Sequence, residues 1–307
     1  MHQANRSVRK RRPSLFMEWD LYALLLPGVL ATVVFKYVPM GGLIIALQDY
    51  NIFDGMSASP FVGLKHFSAL FHDSYFYVTL WNSFIISFYK LVFIFPLPIA
   101  LAVLLNEVRC HAFKRSIQTT AYLPYFLSWS IVYGIFFTLL SRDGPVNNLM
   151  AAVGLERIPF FVRPNVFRGV LVFTDAWKTV GWGCIVYLAA LTAIDPQLYE
   201  AARIDGASKA RQVWHVTLPG IRSTVVIMLV LRLGSLLSAG FEQIFIMYNP
   251  TVYNVADVLD TYVYRTGLGQ QNFSYAMAVG LFNSVVSMTL VLGSNRASRK
   301  FLGHSMW

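Results

Sequence analysis

A charged segment near residue 200 is the most chemically distinctive part of this chain, because it separates two long apolar runs. It consists of Glu200-Ala-Ala-Arg-Ile-Asp-Gly206, followed by Val216-Thr-Leu-Pro219. Glu200 can accept hydrogen bonds from an arginine or lysine of another protein, and the small Ala201 and Ala202 let a partner backbone approach closely. These residue types favour protein binding. The alternative, from these residues alone, is a surface loop whose charges are solvated.

A second chemical set consists of ionisable residues inside the apolar runs: Lys36, Lys90, Asp175, Lys178, Arg232 and Glu242. Charges in a bilayer are costly and usually face the bundle interior, a partner or water. Asp175 and Lys178 are three residues apart and so lie on one helix face. One interpretation is internal ion pairing. The other is a path for a polar solute, with these candidates: Trp177, Lys178, Trp182, Arg232, Glu242 and Asn283.

The composition indicates which elements must hold these residues. The chain has 307 residues, 56% hydrophobic and 13% charged, and several of its apolar runs can cross a hydrocarbon core about 30 Å thick. We therefore expect an all-α, polytopic membrane protein whose first span is retained. Six transmembrane helices are predicted: Leu21–Leu47, Trp81–Leu105, Ile117–Leu140, Gly169–Leu191, Thr224–Ile246 and Tyr275–Leu292.

Prolines and polar segments modify these spans. Lys36 and Pro39 interrupt the first span, and kinks are expected at Pro96, Pro98 and Pro124. The segments 48–77 and 243–274 are mixed and aromatic, so we expect them to be folded, with a short helix beginning near Gly63–Phe67.

Charge counting predicts the orientation. With the N-terminus inside, the inner segments hold fifteen Lys and Arg residues and the outer loops hold six, a positive-inside bias. Both termini and the charged insert are then cytoplasmic. The predicted division is a basic N-terminal segment (1–20), a membrane domain (21–292) that includes the insert (195–219), and a cytoplasmic tail (293–307).

Capping residues divide the insert into two helices. Asp195 can cap a first helix that starts with Pro196 and runs to Asp205, and Gly206 can end it in the left-handed conformation. Ser208 can cap a second helix that runs to Thr217, and Leu218-Pro219 is expected to stop it. The prediction is a helix–turn–helix at the membrane surface.

Several functional classes are disfavoured. The net charge of +10 is accounted for by orientation, because no basic face with interleaved aromatic residues indicates nucleic-acid binding. The six scattered histidines have no metal-ligand spacing, and the two cysteines imply no disulfide framework. No nucleophile–base pair or carboxylate dyad indicates an enzyme. A self-contained secondary transporter or channel would be favoured by inverted repeats, and none is detectable.

The insert resembles the cytoplasmic EAA motif of the membrane subunits of binding-protein-dependent ABC importers. The matching positions are Glu200, Ala201, Ala202, Gly206, Val216, Leu218 and Pro219, with Val216 in place of the usual isoleucine. Further segments are similar to the carbohydrate-importing branch, and within it to the group that handles complex or acidic oligosaccharides: Leu25–Gly28, Phe35–Pro39, Gln48–Asn51, Val62–Phe67, Tyr199–Ser208 and Asn295–Trp307.

This resemblance implies a non-catalytic permease subunit of a bacterial inner membrane. Such permeases pair with a second homologous permease and two ATPase subunits, and an extracytoplasmic binding protein delivers the substrate. The chain has no phosphate-binding loop of the Gly-x-x-x-x-Gly-Lys-Ser/Thr type, so ATP and Mg²⁺ are expected on the partner ATPase and no cofactor on this chain.

The resemblance also implies which residues contact the ATPase and what is transported. The expected coupling residues are Glu200, Ala201, Ala202, Arg203, Asp205 and Gly206. The expected substrate is an acidic oligosaccharide such as an alginate oligomer, whose rings stack on aromatic faces and whose carboxylates bind cations. The EAA motif alone also allows a different solute, such as a neutral oligosaccharide.

Overall fold

The computed structural model describes residues 19–302, and within that range the chain is helical with a single isolated β-bridge between Gln48 and Phe61. Residues 1–18 of the predicted N-terminal segment and residues 303–307 of the predicted tail lie outside the described range. The α-helices are α1 (Trp19–Thr32), α2 (Gly55–Ala58), α3 (Lys65–His72), α4 (Ser74–Tyr89), α5 (Pro96–Glu107), α6 (His111–Tyr122), α7 (Trp129–Leu140), α8 (Pro145–Ala152), α9 (Pro164–Thr192), α10 (Pro196–Ile204), α11 (Lys209–Gln212), α12 (Leu218–Gly220), α13 (Arg222–Gly234), α14 (Phe241–Met247), α15 (Tyr253–Ala256), α16 (Leu259–Tyr264) and α17 (Phe273–Leu302).

Three helical stretches among the described residues are long and apolar enough to cross a membrane: Leu21–Leu47, Ser74–Glu107 and Phe273–Lys300. Three bent pairs bring the number to six if each pair is one span: His111–Phe126 with Trp129–Ala152, Pro164–Thr192 with Pro196–Ile204, and Lys209–Gly220 with Arg222–Gly234. The all-α class is confirmed. The last helix extends ten residues past the predicted end of its span, into the predicted tail.

Most of the prolines do not break the helices in which they lie. A π-helical turn, Lys90–Ile94, joins α4 to α5 ahead of Pro96, and a similar turn, Val213–Thr217, joins α11 to α12 ahead of Pro219. Such a turn is wider than an α-helical turn and accommodates the pyrrolidine ring and the missing N–H. The sequence predicts that Leu218-Pro219 stops the second helix of the insert, and the end lies one residue after Pro219. That helix continues to Gly220, and the chain bends by 61° at the next residue.

Two of the predicted spans are not single helices. The third is bent by 106° where a 3₁₀ turn, Leu123–Phe126, precedes α7, and Ser128 caps the new helix through its Oγ. The fifth stops at Gly234 and resumes only after Gly240, whose φ of +100° suits glycine. Its apolar composition concealed this interruption, because glycines and serines in a span do not by themselves end a helix.

Buried apolar side chains form three clusters, two of which include side chains of α9. One lies between α4, α7, α9 and α14 and contains Phe167 and Ile244. A second packs α3 and α4 against α16 and α17 around Phe76. The third packs α5 against the other half of α9 and contains Leu105 and Tyr187. Because α9 contributes to two of the three clusters, it is the helix that joins α4, α7 and α14 on one half to α5 on the other.

The segment 243–274 is folded, as expected, and long-range polar contacts attach it to α4. Tyr262 donates to Asp73 Oδ2 at 2.6 Å, and Tyr275 donates to the same oxygen at 2.9 Å. Burial raises the pKa of Asp73, but the hydrogen bonds from Tyr262, the Tyr75 amide and Tyr275 outweigh it, so the net shift is downward. The ionised carboxylate is thus the form that this contact stabilises.

Candidate functional site

The charged insert forms the predicted pair of helices, with the predicted caps. Asp195 Oδ1 accepts from the Gln197 amide at 2.9 Å, and α10 begins with Pro196. Gly206 has φ of +73°, so it ends the first helix in the left-handed conformation. Ser208 Oγ accepts from the Arg211 amide at 3.4 Å and starts the second helix. The local sequence thus determines this element without help from the rest of the molecule.

The outer face of the pair is exposed and unpartnered within the described chain. Glu200, Ala201, Arg203, Asp205 and Gly206 are exposed, and Ala202 is half-buried. The side chains of Glu200 and Arg203 make no ion pair or hydrogen bond to any described residue. The neighbouring Ile204 is 87% exposed, a large apolar side chain beside free charges. Such a face is typical of a protein-binding surface.

The inner face of the pair is fixed to the membrane helices. Tyr199 Oη and Thr217 Oγ1 are hydrogen-bonded at 3.1 Å, and Thr217 is fully buried. Lys209 Nζ lies 2.6 Å from Glu107 Oε2 at the end of α5. The first contact joins α10 to the π-helical turn of the same insert, and the second joins α11 to the second predicted span.

A polar cavity of about 650 Å³ lies between the broken helices. Its walls come from the π-helical turn after α4, from the bend before α7, from α9, and from the break between α13 and α14. Three cationic and two anionic residues line it: Lys90, Lys178, Arg232, Asp175 and Glu242. The cavity therefore brings together Lys178, Arg232 and Glu242 of the predicted path.

Lys90 is buried and fully engaged by the protein. Its Nζ lies 3.0 Å from Asp175 Oδ2, and it donates to Ala239 O at 2.8 Å and to Gln243 Oε1 at 2.5 Å. Gln243 in turn donates to Thr174 Oγ1 at 2.8 Å. The ion pair joins α4 to α9, and the carbonyl contact satisfies a backbone group that the break before α14 has freed. Asp175 thus pairs with Lys90, not with its neighbour on α9.

Lys178 is also engaged, by backbone oxygens at the bend before α7. Its Nζ lies 3.5 Å from Pro124 O and 2.8 Å from Tyr125 O, and it donates to Leu127 O as well. The rings of Tyr125 and Trp129 lie on either side, with centroids 5.6 and 5.4 Å from Nζ. A cation at the C-terminal end of a helix offsets the helix dipole and satisfies free carbonyls.

Arg232 and Glu242 differ from the two lysines, because their charged groups are exposed to the cavity. Arg232 lies in the last turn of α13 and Glu242 in the first turn of α14, on opposite sides of the break. Neither side chain makes a hydrogen bond to a described residue. These two groups remain available to a ligand.

The other predicted path residues lie in different places. Trp182 stacks on Tyr125 with ring centroids 4.6 Å apart, so it supports the cavity wall from behind. Trp177 lies in a separate apolar groove beside α5, where it contacts the edge of Phe136. Asn283 lies in a third pocket, where its amide is 3.4 Å from Asp260 Oδ1. The structure thus separates the six candidates into three locations.

Sequence reasoning missed Tyr125, Trp129 and Gln243, which all contact the buried lysines. A glutamine within an apolar run was a usable signal, since a buried amide needs partners. Nothing in the sequence indicated that the two aromatic rings flank a lysine about fifty positions away.

Two arginines of the segments predicted to lie outside, Arg157 and Arg168, have partners within the protein. Arg157 Nη1 lies 2.6 Å from Asp143 Oδ1, and Arg168 donates to Asn82 Oδ1 at 2.7 Å and to Val255 O at 3.0 Å. Arg168 also borders a groove of about 760 Å³ that is otherwise mostly apolar. Because Nε and Nη2 of Arg168 are used and the rest of the lining is mostly apolar, this larger groove offers a ligand less polar chemistry than the cavity.

Comparison with known proteins places the chain in a family. Residues 94–301, more than half of the chain, match the binding-protein-dependent transport system inner membrane component. The chain belongs to this family. It is 47% identical over 288 residues to the polygalacturonan/rhamnogalacturonan transport system permease protein YteP of Bacillus subtilis strain 168, an alignment that covers 94% of this chain and 90% of that protein.

Solved structures agree with this assignment. Two describe a bacterial alginate ABC transporter, each 40% identical to this chain. The first is a crystal structure of a transporter involved in the import of the acidic polysaccharide alginate. Its match to this chain has a TM-score of 0.86 and covers 94% of this chain and 97% of that chain. The second is the transporter in complex with an alginate pentasaccharide-bound periplasmic protein. Its match has a TM-score of 0.87 and covers 95% of this chain and 98% of that chain.

The resemblance inferred from the EAA motif is thus confirmed, together with the permease fold. The chain is an inner membrane component of an ABC transporter that depends on a binding protein. The orientation of its termini and the roles assigned to individual residues stay predictions.

Proposed function

We propose that this chain forms one half of the translocation path of an ATP-driven importer of acidic oligosaccharides, with uronate oligomers as the substrate class. A second homologous permease forms the other half, and an extracytoplasmic binding protein delivers the substrate. The observation that carries the proposal is the cavity between the broken helices, whose ionisable groups sum to one positive charge and which offers a free guanidinium. The relatives described above handle polygalacturonan and alginate, which are both polyuronates.

The energy for transport is proposed to enter through the helix pair at the cytoplasmic face. Glu200, Ala202 and Gly206 contact the ATPase, with Ala201, Arg203 and Asp205 beside them. Support comes from the exposed charges of this face and from the contacts that fix its other face to α5 and to the buried Thr217. ATP and Mg²⁺ are bound by two separate ATPase subunits, and this chain performs no catalysis.

The substrate class is tested with the complete transporter in lipid vesicles. Uptake and ATPase stimulation are measured with alginate oligomers, galacturonate oligomers and carboxyl-reduced oligomers of the same length, each supplied with its binding protein. We expect uptake of one or both uronate series and little uptake of the reduced, neutral series. Equal or faster uptake of the neutral oligomers would overturn the proposal, and the two uronate arms distinguish an alginate importer from a polygalacturonan importer.

A further inference from the structure

The three cations of the cavity have different tasks, and we infer that Arg232 alone binds the carboxylate of the substrate, whereas Lys178 positions the cavity wall. This inference rests on the proposed uronate substrate. It follows from which donors the protein has already used, since all three cations line the same cavity.

The ammonium group of Lys178 has no donor left for a substrate. It carries three N–H bonds, and three carbonyl oxygens, those of Pro124, Tyr125 and Leu127, surround it. The flanking rings of Tyr125 and Trp129 close the remaining approaches. A substrate carboxylate could bind Lys178 only by breaking these contacts, and the freed carbonyls would then lack partners inside the membrane.

Lys90 is excluded by the same reasoning. Its three neighbours are Asp175, Ala239 and Gln243, and its side chain is only 4% exposed. The charge is neutralised by Asp175, so Lys90 contributes neither a free donor nor net charge to the cavity. Both lysines instead sit at interruptions of membrane helices, where unpaired backbone groups need a donor.

Arg232 has the complementary properties. A guanidinium carries five N–H donors in a fixed fork that matches a carboxylate with two parallel hydrogen bonds. The Arg232 side chain is exposed and makes no hydrogen bond to a described residue. Lys90 is balanced by Asp175 and the donors of Lys178 are held by backbone carbonyls, so Arg232 is the cation of the cavity with donors left for a ligand.

Glu242 completes the site as an acceptor for sugar hydroxyls. It lies across the break from Arg232 and has no hydrogen-bond partner among the described residues. A carboxylate repels a uronate group and attracts hydroxyl donors. The pair therefore orients a uronate ring with its carboxylate toward α13 and its hydroxyls toward α14.

The test compares Arg232→Gln, Arg232→Lys and Lys178→Met in the complete transporter, with Lys65→Met, an exposed lysine of the outer segment, as the matched control. For Arg232→Gln we expect the uronate concentration at half-maximal uptake to rise roughly tenfold to a hundredfold, because charge-assisted hydrogen bonds are lost. Arg232→Lys should recover part of the affinity, since it keeps the charge without the fork. Uptake of the carboxyl-reduced oligomer should not fall in parallel.

Lys178→Met should change the shape of the cavity wall and not the affinity for the substrate carboxylate. We expect a lower maximal rate for every substrate with little change in selectivity, and an altered bend, measured as a distance distribution between spin labels placed at Thr119→Cys and Leu139→Cys in a Cys110→Ser background. Selective loss of uronate uptake in Lys178→Met with an unchanged bend would overturn the inference. So would an equal loss of uronate and neutral uptake in Arg232→Gln.

Failure of the substrate proposal gives a different result. If the unmodified transporter prefers the neutral oligomers, the uronate class is wrong, whereas the bend measurement still reports whether Lys178 holds the wall.

Discussion

The charged helix pair and the buried part of the cavity use charged residues in opposite ways. In the helix pair, Glu200 and Arg203 are exposed and make no contact with another described charge. In the cavity, Lys90 pairs with Asp175, and Lys178 is surrounded by carbonyl oxygens. Water stabilises the first set without partners, whereas the low dielectric of the membrane interior requires partners for the second.

This difference has a consequence for how the two regions respond to mutation. A charge change on the helix pair should leave the protein folded and affect only binding to another subunit. A charge change at the buried pair of Lys90 and Asp175 leaves an uncompensated group in an apolar environment and should affect the fold itself.

The largest effect is expected from Asp175→Asn, which leaves the ammonium of Lys90 buried without its counter-ion. Removing one member of a buried pair costs about 3–5 kcal/mol, so we expect a marked fall in the temperature of unfolding, measured for the purified protein in detergent. The matched control is Asp143→Asn, which removes the partner of Arg157 at an exposed site and should change stability little. If the two variants unfold alike, Lys90 does not depend on Asp175.

The double variant Lys90→Met with Asp175→Leu sharpens this point. Replacing both members of a buried pair by apolar residues is often neutral, so stability should recover relative to Asp175→Asn. No recovery would mean that the hydrogen bonds of Lys90 to Ala239 and Gln243 matter more than its charge.

An intermediate effect, on function alone, is expected from Glu200→Lys and from Gly206→Pro. The first reverses the exposed charge, and the second is incompatible with a φ of +73° because proline fixes φ near −65°. Both proteins should insert normally, and substrate uptake should fall by roughly tenfold or more. Glu200→Lys loses a charge-assisted contact worth about 1.5–3 kcal/mol, and Gly206→Pro distorts the turn that ends α10.

The readouts are uptake into vesicles and ATP hydrolysis stimulated by the loaded binding protein. Glu156→Lys, at an exposed acidic position between α8 and α9, is the control and should transport normally. Unimpaired uptake in both Glu200→Lys and Gly206→Pro would remove the helix pair from the coupling mechanism.

The smallest effect is expected from labelling Cys110, which tests whether the helix pair lies on the cytoplasmic side of the membrane. Cys110 is exposed in the loop between α5 and α6, and Cys184 is buried. If that loop is cytoplasmic, a membrane-impermeant maleimide should label inside-out vesicles and leave right-side-out vesicles unlabelled, with Cys110→Ser as the control. The reverse labelling pattern would place Glu200 on the extracytoplasmic side.

The two regions also differ in how much the sequence reveals. The helix pair is predictable because its determinants are local: Asp195, Pro196, Gly206 and Ser208 all lie within or beside the element that they define. Its second helix ends one residue past Pro219, after a π-helical turn that no capping residue announces.

For the cavity, the sequence predicted the charged residues but not the contacts that they make. Lys90, Asp175, Lys178, Arg232 and Glu242 stood out as charges within apolar runs, but their partners come from other helices. The contact between Lys90 and Gln243 joins residues 153 positions apart, and no local pattern encodes such a pairing. The interruption before Gly240 was hidden for the same reason, since it persists where distant donors satisfy its carbonyls.

The ion pair of Lys90 also sets the rotation of the second predicted span. Lys90 is the first residue of a π-helical turn, which holds one residue more than an α-helical turn. If the π-helical turn moved to the other side of Lys90 in the sequence, the Lys90 side chain would rotate about the helix axis by about 100°, the angle of one residue in an α-helix. Asp175, fixed on α9, would then lose its partner. The ion pair thus favours one rotation of this span about its axis relative to α9. A transport state that rotates the span relative to α9 would have to break the contact between Lys90 and Asp175.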